Sequence, residues 1–252
     1  MFWILALLAP IGYAVQTALM LRHARAHDPA SIGMYRGFSL GLSFLPVLLF
    51  VVKPADITQT LQYWPQITLA SLLVGVTVVL SYYSMKRLPL GIFSAWSSSL
   101  RVLLLSVFGV YFFKEILSPL QIAFVGATIC GIICLSLQKH HADHLEYKCP
   151  KALFGLVFLQ SLTLALGVII ITDVARKSNP WMAGYLWEIG IGISAMLYAL
   201  LRGLSGGTGI EKIPWKQFWK ILLCASPTVL GTGSFFLAAT MGPVGILSAI
   251  GT

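Results

Sequence analysis

The chain has 252 residues, of which 58% are hydrophobic and only 10% charged, with a formal net charge of +9. An ordinary soluble domain carries about a quarter charged residues, so this composition excludes one and points to a polytopic membrane protein. The basic excess is scattered over short loops rather than drawn into a stripe, which suits membrane flanks near anionic lipid and argues against nucleic acid as a partner.

Residues 2–21 form the first apolar span; without a basic start or a small-residue cleavage site they read as a retained helix rather than a signal peptide. Further helices are expected at 31–52, 66–86, 90–112, 118–137, 151–172, 180–201 and 218–240, with another begun at Pro243. Asp28-Pro29, Lys53-Pro54, Leu88-Pro89, Ser118-Pro119, Cys149-Pro150 and Asn179-Pro180 punctuate them. Two connections are longer: 138–150, and 202–217, whose amphipathic end from Ile213 to Trp219 suits the bilayer surface.

The chain contains itself twice. Pro89-Leu90-Gly91-Ile92-Phe93-Ser94-Ala95-Trp96-Ser97-Ser98 returns as Pro243-Val244-Gly245-Ile246-Leu247-Ser248-Ala249-Ile250-Gly251-Thr252, matching at half its positions. Ala24-Arg25-Ala26-His27-Asp28-Pro29 returns as Ala175-Arg176-Lys177-Ser178-Asn179-Pro180 at nearly the same offset, roughly 150 residues. Five crossings per unit is an odd number, so the second copy enters the membrane from the opposite side, giving an all-α bundle of two inverted five-helix repeats. Residues 1–137 form the first repeat, 138–150 the connecting loop and 151–252 an incomplete second repeat of three helices and the start of a fourth. The copy stops ten residues into that helix, which implies a truncated chain lacking roughly 40 residues, at about 20 per span. Arg22, Arg25, Lys86, Arg87, Lys139, Lys148, Lys151, Arg202, Lys212, Lys216 and Lys220 flank the odd-to-even connections, and positive-inside counting then places the amino terminus outside.

Arg101 stands at the centre of the apolar fourth span, where an Arg costs about 2.5–3.5 kcal/mol on insertion scales. Ser94, Ser98 and Arg101 fall at i, i+4 and i+7, a polar face that suits a water-filled cavity holding an anionic group. An Arg paired to a neighbouring carboxylate, or snorkelling to the interface, is the structural alternative. Glu188, midway along the seventh span, could pair with Arg101, take up a coupling proton, bind a cation, or form a permanent ion pair between the halves. Gly33, Gly37 and Gly41 are spaced by four, and the repeat carries Gly184, Glu188 and Gly192 at the same places, with Arg36 matched by Trp187. Such glycines let helices approach closely. Trp96 and Tyr82 are the aromatic candidates for a pocket wall.

His140-His141-Ala142-Asp143-His144 with Cys149 downstream has ligand-type residues, but a Lys- and His-rich loop is ordinarily just solvated, and neither metal nor cofactor is expected. Phosphate-binding loop, paired-acid and zinc-protease motifs are missing from the sequence.

Arg36 inside the second helix, Leu88-Pro89-Leu90-Gly91 opening the fourth, Glu115-Ile116-Leu117-Ser118-Pro119-Leu120-Gln121, Gly126-Ala127 to Gly131, and Met241-Gly242-Pro243-Val244 occur in an order that resembles the EamA-like branch of the drug/metabolite transporter superfamily. The resemblance implies a ten-helix carrier with both ends cytoplasmic, against the charge count, moving amino acids, nucleotide-related compounds or other small metabolites. Lys114 departs from it, standing where the pattern has glycine before Glu115, and so does Arg101.

The reading is therefore a secondary transporter in the cell (inner) membrane. It moves a small polar metabolite, an amino acid, nucleobase or nucleotide-like compound, by alternating access. Arg101, Ser94, Ser98, Trp96 and Tyr82 hold the substrate, Glu188 and Arg36 balance or couple charge to a proton or ion, and lipid surrounds a monomer or homodimer. A membrane-embedded enzyme or lipid-headgroup handler and a non-transporting assembly partner are the alternatives.

Overall fold

The computed structural model describes residues 1–88, 90–116, 151–244 and 246–247, with isolated positions between 119 and 134. The His140–His144 loop with Cys149, most of the helix expected at 118–137, and the end of the second repeat motif from Ser248 to Thr252 lie outside the described residues.

Every element among the described residues is a helix: α1 (Phe2–Ala26), α2 (Pro29–Val51), α3 (Pro54–Leu61), α4 (Trp64–Met85), α5 (Leu90–Phe113), α6 (Lys151–Lys177), α7 (Pro180–Leu204), α8 (Trp215–Ala225) and α9 (Pro227–Ala239). Seven spans, counting α8 and α9 as one, are long and apolar enough to cross a membrane. This is an all-α, multi-pass membrane protein. Large apolar side chains such as Leu49, Phe50, Leu201, Leu204 and Leu223 stand exposed on the helix flanks. That distribution is the inverse of a soluble surface and suits contact with hydrocarbon.

Each boundary has a local cause. Asp28 and Asn179 cap α2 and α7, each accepting from backbone amides of the first turn, and each is followed by Pro at the first helical position, where its missing N–H costs nothing. Four places differ from the sequence expectation. α1 and α6 run on to Ala26 and Lys177, past the apolar stretch, because at about 1.5 Å per residue the helices outreach roughly 30 Å of hydrocarbon and their charged last turns meet water. The stretch after Lys53-Pro54, expected as a bare connection, is the short helix α3, started by Pro54 and by Asp56, whose Oδ2 accepts from the Lys53 amide at 2.9 Å. The span expected at 218–240 divides at Pro227, which leaves the Leu223 carbonyl without its helical donor; the Ser226 hydroxyl donates to it instead at 2.9 Å.

The main helix contacts are α1 on α9, α2 on α7, α4 on α6 and α7, and α5 on α6. Two of these crossings depend on glycine. At the α2–α7 crossing, a Cβ on Gly37 would lie 2.6 Å from the Gly192 amide nitrogen; at the α1–α9 crossing, one on Gly12 would lie 2.6 Å from the Gly231 nitrogen. Such distances are below any real contact, so the backbones touch only because both partners lack side chains.

Candidate functional site

Two charged residues inside the bundle, Arg36 and Glu188, come together where α2 crosses α7. Glu188 is 1% exposed and Arg36 7% exposed, and Arg36 Nη1 donates to Glu188 Oε2 at 3.1 Å. The other carboxylate oxygen, Oε1, accepts from Thr232 Oγ1 of α9 at 2.8 Å, and Thr232 in turn shares a 3.1 Å hydrogen bond with the Tyr13 hydroxyl of α1. One network thus ties together α1, α2, α7 and α9. Gly37, next to Arg36, is what allows this: the close backbone approach of α2 and α7 brings a guanidinium and a carboxylate from two different helices within reach of each other.

This network borders a cavity of about 230 Å³. Its polar wall is Tyr13, Gln16 and Thr17 of α1, Arg36 of α2, Thr77, Ser81 and Tyr82 of α4, Arg101 of α5 and Glu188 of α7. Its apolar wall includes Val74, Leu105, Leu164, Val168 and Phe235. Pockets for drug-sized molecules run from about 300 Å³ upward, so the space suits something smaller. With tyrosines neutral, the described lining groups hold two cations and one anion.

Of the residues singled out in the sequence, Arg101, Tyr82, Arg36 and Glu188 line this cavity. Ser94, Ser98 and Trp96 do not. Ser94 shares the helical face of Arg101 but stands about 10 Å further along the axis, where that face is exposed. Ser98 is half-buried away from the cavity, and the neighbouring Ser97 is the serine that α6 engages, accepting from Gln160 Nε2 at 3.0 Å. Trp96 is buried in an apolar cluster, edge-on to Phe154 with ring centroids 4.9 Å apart. Gly33 and Gly41 meet Ala195 and Ile189 along the α2–α7 seam, and Gly184 meets Thr232 and Phe236 of α9.

Tyr13, Gln16, Thr17 and Thr232 did not emerge from the sequence. The signal was there in α1, where Tyr13, Gln16 and Thr17 sit at i, i+3 and i+4 as a polar seam in an otherwise apolar helix. Neutral hydroxyls are common enough in membrane helices that such a seam carries little weight without a partner.

A second polar cluster closes one end of the bundle. Glu211, in the α7–α8 connection, accepts from the Asp28 amide at 2.6 Å and bonds His27 Nδ1 at 2.7 Å, while Arg202 pairs with Asp28 at 2.8 Å. Burial pushes the Glu211 carboxyl up, but the bonds to His27 and the Asp28 amide, with the charge of His27, outweigh it and hold the group below the usual carboxylate range.

The profile of the EamA-like transporter family matches residues 1–137, more than half the chain. This chain belongs to the EamA-like transporter family. Membership in the EamA-like family implies a transporter of small molecules, a class that is generally non-enzymatic. A crystal structure of another protein shares the fold with a TM-score of 0.64 at 14% identity, covering 98% of this chain and 81% of its own. None of the curated proteins matches the chain.

Proposed function

We propose that this EamA-like chain is a secondary carrier that moves a small polar metabolite across the cell (inner) membrane by alternating access. The observation that carries the reading is the Arg36–Glu188 pair facing a small cavity together with Arg101, because ionised groups at membrane depth are costly and persist where they line a solute path. Arg101, Arg36 and Tyr82 contact the substrate, and Glu188 balances charge.

Two inverted halves are supported by contacts that recur when the halves are exchanged. Applying an offset of 151 residues at α1 and α2, and of 154 at α4, maps Arg25 onto Arg176 and Met85 onto Ala239. Arg25 Nε donates to the Met85 carbonyl at 3.4 Å, and Arg176 Nε donates to the Ala239 carbonyl at 2.9 Å. The same offsets map the Gly12–Gly231 crossing of α1 with α9 onto Thr163–Thr77, where α6 crosses α4 and the two hydroxyls lie 2.7 Å apart. Asp28 is held by Arg202 and Glu211 around the end of α7, and its counterpart Asn179 by Asp56 and Val51 around the end of α2, at 3.1 and 3.5 Å. Reciprocal contacts of this kind are what a pseudo-two-fold axis generates.

The test is reconstitution of the purified protein into liposomes loaded with pooled amino acids, nucleobases, nucleotides and monocarboxylates. Efflux is expected from the parent and lost in Arg101→Ala, with insertion unchanged. Absence of efflux of every solute from well-inserted protein would move the reading to an assembly partner or a membrane-embedded enzyme.

A further inference from the structure

We infer that the substrate is a small organic monoanion of carboxylate type with an apolar body, and that it moves with one proton, which Glu188 carries while the anion takes its place on Arg36. The inference rests on the carrier reading above.

Arg–carboxylate pairs that serve as fixed struts favour the two-pronged arrangement, with both oxygens on one guanidinium. Here the oxygens are divided: Oε2 to Arg36, Oε1 to Thr232. A one-pronged contact leaves the remaining edge of the Arg36 guanidinium toward the cavity that it lines, and an incoming carboxylate can bond there and displace Glu188. Displacement strands a carboxylate that is 1% exposed, and burying it ionised without its cation is costly unless it is neutralised.

The proton has a route. Thr232 uses its single hydroxyl hydrogen on Glu188, so in the Tyr13–Thr232 bond Tyr13 is the donor. Tyr13 lines the cavity, and a proton delivered there passes along Tyr13 and Thr232 to Oε1 by a shift of each hydroxyl hydrogen to the next oxygen. Proton uptake converts the carboxylate to the acid and breaks the ionic contact with Arg36; release of proton and anion restores it. The groups facing Glu188 across the cavity are Tyr13 on α1, Arg36 on α2, Tyr82 on α4 and Arg101 on α5, while α6 contributes Leu164 and Val168. In this scheme the site carries the same net charge loaded and empty, so transport is electroneutral.

A zwitterion fits less well. Its ammonium would pair with the Glu188 oxygen that displacement frees, but it would bring no net negative charge to the described lining of two cations and one anion and would leave the Tyr13–Thr232 proton route without a use. The apolar wall of Val74, Leu105, Leu164, Val168 and Phe235 receives a hydrocarbon or aromatic body.

The experiment compares labelled 3-phenylpropionate with labelled phenylalanine, which differ by the ammonium group, in proteoliposomes holding an internal pH dye. An inward acid gradient should drive 3-phenylpropionate uptake well above that of protein-free liposomes, which the neutral acid crosses unaided, and the protein-dependent part should carry one proton per anion, be insensitive to an imposed membrane potential and exceed phenylalanine flux at least about tenfold. Glu188→Gln, which can neither take up nor release the proton, should lose gradient-driven accumulation of 3-phenylpropionate and the internal pH change that goes with it. Tyr13→Phe, which keeps the ion pair, should slow the proton-coupled step and move its pH profile, a readout that a purely structural hydroxyl would leave alone. Phenylalanine flux without proton movement, or anion uptake that follows the potential instead of the gradient, overturns the inference and leaves the carrier standing. No flux of these or of any pooled solute overturns the carrier reading itself.

Discussion

Lys114 has φ +55°, in the left-handed region, immediately before Glu115, which accepts from the Val244 amide at 2.9 Å and pairs with Arg176 at 3.4 Å. A side chain in that conformation costs roughly 1–2 kcal/mol that glycine avoids. The position is the one at which the EamA-like pattern has glycine, so the departure noticed in the sequence has a physical cost at a turn that orients an ion pair. Lys114→Gly should raise stability by about 1 kcal/mol, read as a higher midpoint of thermal unfolding in detergent, with Lys114→Ala close to neutral. At the ion pair the balance differs. Arg36→Ala or Glu188→Ala strands a buried charge and should cost about 3–5 kcal/mol, whereas Arg36→Met combined with Glu188→Leu should recover most of that while leaving transport abolished. A double variant as unstable as the singles would show that packing rather than charge dominates the site. Single residues were legible in the sequence where they were chemically out of place: Arg101, Glu188 and Arg36 stand out in apolar helices. Which of them pair was not legible, because Arg36 and Glu188 lie 152 positions apart and meet only through the α2–α7 crossing.

Between elements, the seam of α2 with α7 is set by how closely two backbones approach. At Gly37 an added Cβ meets backbone atoms of Gly192, which cannot swing aside; at Gly33 it meets the ends of Val78 and Ala195 side chains at 3.1 and 3.3 Å. Gly37→Ala should therefore separate the helices and cost about 1–3 kcal/mol, and Gly33→Ala much less, measured by thermal unfolding of the two variants side by side. Equal losses would mean that the seam is not limited by backbone contact. The glycine spacing announced a close-packed face in the sequence, but not its partner helix, since spacing gives a face and never the element opposite. The Glu211 contacts were not legible at all, because they join a loop to a turn 183 residues away. Their pH response follows from sign. The folded carboxyl is held below its ordinary range, so its contribution is present at neutral pH and is lost as pH falls through the folded value. Protection of the 205–214 amides relative to their intrinsic exchange rate should fall on acidification, and in Glu211→Gln it should already be low at neutral pH with little further change. An acid response unaltered in Glu211→Gln would assign it to another group.

At the scale of the whole molecule, the clusters that tie Asp28 to Glu211 and Asn179 to Asp56 stand at opposite ends of α2 and of α7. Both clusters are formed at once in this structure, fastening both ends of the α2–α7 pair; if the halves exchange roles during transport each must open in turn, so fixing either one should stop turnover by a different block. In a background with the native cysteines replaced, Asp28→Cys with Glu211→Cys and, separately, Asp56→Cys with Asn179→Cys can each be bridged by a short bifunctional thiol reagent. Both bridges should abolish net flux. A cysteine placed at Thr17 in the cavity should then react with an impermeant thiol reagent from one side of the membrane under the first bridge, and from the other side under the second. Labelling from the same side under both bridges, or continued flux with both ends bridged, would be incompatible with two halves that alternate about a central site.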